Sequence, residues 1–325
     1  MKTVPLLLAI ALLAAGAAAF GQTSTIQGPG GGFVFDASTH SVRALIGMPG
    51  ASYLGAPVVS GVALAAVAPD GKKALVAGAD GVELISDLNS PSASRRRLPD
   101  VITNPDRLLW SADAASAVVF SAAAKQLQFL QDAGAGFTPG RPCDLSSLPP
   151  DLVLLAAEAS AGIAAVGAVS EGKLTVYLVR EAAAPRSAIV IGSPVAPAVF
   201  GDNGTVLYVA DPASSSLWIL RNLDGDIQAG TLFEFPGAWK EPVALALDAG
   251  GKFLYAADAG RRSLQVYDLE SRRPGAELEL DGPPSSLEPF SPSAFLLNAR
   301  RQGREPILLL QTSPKLGIFF IPSGE

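Results

Sequence analysis

Apolar positions along this chain fall in short, nearly continuous runs parted by glycine, proline and aspartate, a pattern of strands and tight turns with no helical spacing. Between Glu241 and Arg273 the runs at 243–247, 253–257 and 264–267 are separated by Asp248-Ala249-Gly250-Gly251-Lys252 and by Asp258-Ala259-Gly260-Arg261-Arg262. Glycine supplies the positive φ of a tight antiparallel turn, and aspartate bonds forward to its own backbone. Each run therefore predicts a strand, and Asp268-Leu269-Glu270-Ser271 turns the chain towards a fourth, outer strand.

The same order returns along the chain. Turn anchors at 70, 113, 160, 202, 248 and 298 are spaced by roughly 42 to 50 residues, the period of propeller blades. A four-stranded antiparallel unit cannot bury both faces alone, so the units must stack, and a closed ring leaves no open end. Strands held between two neighbouring blades should be apolar on both faces, as the runs of Ala, Val and Leu are. The expectation is an all-β propeller of four-stranded antiparallel blades, six in number, with seven as the alternative. Phe33-Val34-Phe35-Asp36 and 42–46 read as the third and fourth strands of an incomplete blade, and 294–298, 307–311 and 317–321 as a blade lacking its fourth. The ring would then be closed by pairing the N-terminal strands with the C-terminal blade.

Leu207-Tyr208-Val209-Ala210-Asp211, Leu254-Tyr255-Ala256-Ala257-Asp258 and Pro69-Asp70-Gly71-Lys72 resemble the second strand and first turn of YVTN-type, lactonase-like β-propeller repeats of exported bacterial proteins. The resemblance extends over most of the chain after Phe33, with the Thr-Asn pair of the repeat replaced. It implies the fold and leaves function to the site.

Residues 1–21 read as an export signal: Lys2 gives the positive start, 6–15 the apolar stretch, and Ala17-Ala18-Ala19 or Ala19-Phe20-Gly21 the cleavage pattern. That stretch is too short for a membrane span, so the product is expected in the periplasm or outside the cell, with no membrane insertion. Residues 22–32 are expected to be a flexible lead, and 33–325 a single propeller domain. The net charge of −6 argues against nucleic acid as a partner. One cysteine, Cys143, cannot form an internal disulfide. A monomer is expected.

The chain holds one histidine, His40, at a predicted hairpin tip, and no metalloprotease motif, His/Cys metal spacing or Gly-x-Ser-x-Gly elbow. No catalytic residue and no cofactor is expected, although acidic residues around a propeller axis leave a divalent metal open. In an up-and-down blade, the turn between strands two and three shares a face with the connection to the next blade. Trp239 and Lys240, in such a connection, would then share a face with Arg261 and Arg262, and these four are the candidate partner-binding residues. Asp211 and Asp258 end second strands on that face and are the candidate acids at a channel mouth, with turn capping as the competing role. Two functions follow: a noncatalytic propeller that binds a protein, peptide or glycan through its loops, or a lactonase-like hydrolase with an acidic or metal-dependent site at the central channel.

Overall fold

On the second strand of the third blade, Ser116–Ser121, neighbouring residues are buried in opposite directions. Ala117 and Val119 pack towards the preceding blade, Val118 and Phe120 towards the following one. This two-sided burial is why the runs are unbroken: every side chain of an inner strand meets an apolar neighbour, whichever way the pleat points it. A computed structural model describes residues 30–48, 50–90, 92–133, 136–234, 239–299 and 305–322. These form seven antiparallel sheets in chain order and seven apolar cores, one at each junction between neighbouring sheets. The protein is an all-β, seven-bladed propeller.

Seven blades replace the six favoured from the turn anchors, and the discrepancy lies at the two ends. Gly30–Asp36 and Ser41–Met48 are the first and second strands of blade 1, and Ala51–Ser60 is its third. Gly55 and Pro57 give that third strand the look of a loop. Blade 7 has all four strands, because Glu288–Ser291, with its proline, precedes Ala294–Leu296 as the innermost. The anchor at Asn298 therefore follows a second strand instead of a first. The expected lead is also shortened, since Gly30, Gly31 and Gly32 already belong to blade 1. Residues 1–29, with the expected export signal, lie outside the described residues.

Among the described residues the expected latch by strand pairing is not formed. The N-terminal strands pair only within blade 1, and Gly317–Ile321, the outer strand of blade 7, pairs with Ile307–Gln311 of the same blade. The ring closes face to face instead. Val34, Leu45 and Leu54 of blade 1 bury against Ala294, Leu296, Ile307, Leu309 and Ile321 of blade 7. Gly32 makes room for this contact: its φ is +132°, and a Cβ there would stand 2.8 Å from the Phe290 ring.

The turn chemistry is as the sequence implies. Asp70 Oδ1 accepts the Lys72 amide at 2.9 Å, and Asp248 Oδ1 accepts those of Lys252 and Phe253, each at 2.7 Å. Gly71 and Gly251 take the left-handed conformation, with φ of 66° and 64°. Cys143 lies on the split outer strand of blade 3, 6% exposed, its thiol donating to the Arg180 carbonyl at 3.5 Å. Burial first, and the charge of Glu181 second, push its pKa up to about 11. The reactive thiolate is thus scarce at neutral pH. We expect Cys143 to resist an aromatic disulfide reagent in the folded protein and to react stoichiometrically in denaturant, followed by thiolate release. Rapid reaction of the folded protein would contradict this burial.

Candidate functional site

The fold offers two places for binding: loops on the face that carries the between-blade connections, and the channel enclosed by the seven innermost strands. On the connection face of blade 6 the second strand ends at Asp258, a residue 3% exposed. Its Oδ2 accepts the Lys240 amide at 2.7 Å, and its Oδ1 accepts the amides of Glu241 at 3.1 Å and Arg261 at 2.8 Å. One carboxylate thus fastens the incoming connection to the turn between strands two and three. Gly260 lets the two segments approach, since a Cβ there would meet Lys240 Cγ at 2.9 Å. The outcome is an exposed shelf of Lys240, Arg261 and Arg262. Glu277 stands 3.7 Å from Arg261.

Trp239, grouped with these residues from the sequence, has a different place. It is 7% exposed in the core between blades 5 and 6, and its Nε1 donates to Tyr267 Oη at 2.9 Å. The proline and glycine flanking it suggest a loop, but the indole turns inward. Asp211 is buried on the second strand of blade 5, where Oδ1 accepts the Ala213 amide at 3.0 Å and Oδ2 the Ser214 hydroxyl at 2.7 Å. Both candidate acids cap turns. His40 is exposed in the first turn of blade 1, with φ of 49°. No group of three or more His, Cys, Asp or Glu side chains that could hold a metal ion occurs among the described residues.

The channel is divided. A compartment of about 380 Å³ borders blades 1, 2, 3 and 7, and one of about 1100 Å³ borders blades 3 to 7. Leu109 and Trp110 of blade 3, with Glu288 and Pro289 of blade 7, line both and form the bar between them. Trp110 is fixed by its Nε1, which donates to the Ala66 carbonyl of blade 2 at 2.8 Å, and by an edge-to-face contact with Phe137 at 5.2 Å. Across the bar, Arg107 Nη1 stands 4.0 Å from Glu288 Oε1. These side chains are 25% and 36% exposed, towards the lumen that they line. Burial holds the Arg107 guanidinium below its ordinary pKa, with Glu288 opposing the shift. It also pushes the Glu288 carboxyl up, with Arg107 opposing. Sequence reading misses this pair because its members lie on first strands of distant blades, which meet only once the ring has closed.

Several solved structures share this architecture. The chain is similar to a functionally unknown protein from Desulfotomaculum acetoxidans, with a TM-score of 0.60, 12% identity, and 90% of this chain and 100% of that chain covered. A protein from Lactobacillus plantarum gives 0.61 at 16% identity, covering 90% and 96%. A putative 6-phosphogluconolactonase from Bacteroides fragilis gives 0.59 at 11% identity, covering 90% and 94%. At these identities the likeness is one of fold. No protein family matches the chain, and no curated protein sequence matches it.

Proposed function

We propose that this protein is a noncatalytic binding propeller of the YVTN type, exported by the signal at residues 1–21, that takes an acidic surface of a protein, peptide or glycan on its connection face. The observation that carries this reading is the clamp by Asp258. By tying the Lys240 connection to the Arg261-Arg262 turn, it sets three cationic side chains on one ordered shelf before any partner arrives. Loops already ordered lose less entropy on association. In a chain of net charge −6, such a shelf offers three cations to an acidic partner, beside the exposed Glu241 and Glu277.

The lactonase-like reading draws on the family resemblance and on a likeness in fold to a putative lactonase. The acids singled out for it from the sequence, Asp211 and Asp258, are not among the residues lining either compartment, and their carboxylate oxygens already accept turn hydrogen bonds. We therefore rank it second. Lactone or ester turnover by the purified protein, lost on Asp211→Asn or Asp258→Asn, would reverse the order.

The shelf is tested by reversing its charge. Lys240→Glu, Arg261→Glu and Arg262→Glu together should weaken capture of a labelled polyglutamate peptide, read by fluorescence anisotropy, by about tenfold or more. The melting curve should stay that of the parent, because all three side chains are exposed. Undiminished capture by the reversed protein would remove the shelf from the site.

A further inference from the structure

The ion pair at the bar of the channel is poorly matched within the protein. Arg107 Nη1 is fully covered yet has no hydrogen-bond partner, and its 4.0 Å approach to Glu288 exceeds hydrogen-bond reach. Among the described residues, no hydrogen bond engages the guanidinium. A covered donor without a hydrogen bond is costly, because its desolvation is only partly offset by a carboxylate at that distance. Arginine presents its donors as a planar fork suited to a carboxylate, and the exposed quarter of Arg107 opens on the larger compartment.

That compartment has the size and lining of a small-molecule site. Its volume is about 1100 Å³, at the upper end of ligand pockets, and its wall includes Leu109, Trp110, Leu155, Val199 and Leu245. It is also polarised along its length. Arg107 begins the first strand of blade 3 and so lies towards the connection face. Asp151 and Glu288 also line that end, but Arg107 is the one cation among the described lining residues, and at the opposite mouth the lining includes Glu158, Asp202 and Asp248, which disfavour an anionic end. A ligand with one charged end and an apolar body therefore has a single favoured orientation.

We propose that the larger compartment is a binding site for a small amphipathic monocarboxylate, its carboxylate on Arg107 and its apolar body along the innermost strands of blades 4, 5 and 6. The site is separate from the cationic shelf and does not depend on it. Glu288 competes with the ligand for the same guanidinium, so the two side chains have opposite effects: Arg107 attracts and Glu288 restrains.

This opposition gives the test. Decanoate, with decanol as the uncharged control of equal chain length, is titrated into the full protein by calorimetry. One decanoate should bind per chain. Arg107→Met should weaken it by about tenfold or more, the loss of a charge-assisted contact, and leave decanol unchanged. Glu288→Gln should tighten decanoate several-fold and leave decanol unchanged. Should Arg107→Met fail to fold, Glu288→Gln decides alone, since a merely structural glutamate would not raise affinity for an anion when neutralised. The proposal is overturned by parent-like or weaker decanoate binding to Glu288→Gln, by unchanged binding to folded Arg107→Met, by equal affinities for decanoate and decanol, or by no decanoate binding at all.

Discussion

Deletion of residues 306–325 is expected to abolish cooperative unfolding. The segment contains the third and fourth strands of blade 7, Ile307–Gln311 and Gly317–Ile321. It serves two cores: Leu308 and Leu310 pack towards blade 6, while Ile307, Leu309 and Ile321 pack towards blade 1. Each is at most 5% exposed. At about 1.5–3 kcal/mol per buried aliphatic side chain, these five are worth about 8–15 kcal/mol. The whole stability of a folded domain is about 5–15 kcal/mol, so the loss is comparable to all of it. The deletion also bares Val34, Leu45 and Leu54 of blade 1. Circular dichroism and calorimetry should show a broad, weak transition where the parent melts sharply. Sharp, parent-like melting of the shortened chain would show that the ring does not need this seam.

Replacing Trp239 by alanine is expected to cost about 3–5 kcal/mol, the range for removing a large buried aromatic. The indole touches the Tyr267 ring edge to face with centroids 6.3 Å apart, and Tyr267 in turn stacks on Phe233 at 5.4 Å. The three rings join the outer strand of blade 5 to blade 6, and the bond from Nε1 to Tyr267 Oη fixes their order. Trp239→Phe keeps most of the volume and loses that bond, so it should cost about 1–2 kcal/mol. Melting temperatures should fall by about 5–10 °C for alanine and by a few degrees for phenylalanine. A parent-like melting curve for Trp239→Ala would contradict the packing described. The effect is on folding, in contrast to a role in partner contact.

What was legible in the sequence divides along one physical line. Second and third strands are covered on both sides by neighbouring blades, so they are uninterrupted apolar runs, as at Val206–Asp211 and Phe253–Asp258. Their turns need positive φ or a side-chain cap and are written in Gly and Asp. Strands at the axis and the rim carry weaker signals. Glu288–Ser291 holds a proline and a charge, Ala51–Ser60 a glycine and a proline, and neither carries a local pattern that predicts a strand. One missed strand at either end was enough to miscount the blades and misplace the closure. The shelf was within reach because Lys240, Arg261 and Arg262 lie near one another in sequence and on one face by strand direction alone. The Arg107–Glu288 pair depends on the diameter of the ring, which no local pattern encodes.

Closure by packing has a topological consequence. Among the described residues every sheet is made from one stretch of chain, and no blade borrows a strand from the far end. The position of the termini is therefore a choice of where to cut a circle. A gene rearranged to begin in any between-blade connection, with the old ends joined, would encode the same seven sheets. Gain or loss of a whole blade would likewise change only the size of the circle, leaving each remaining sheet intact.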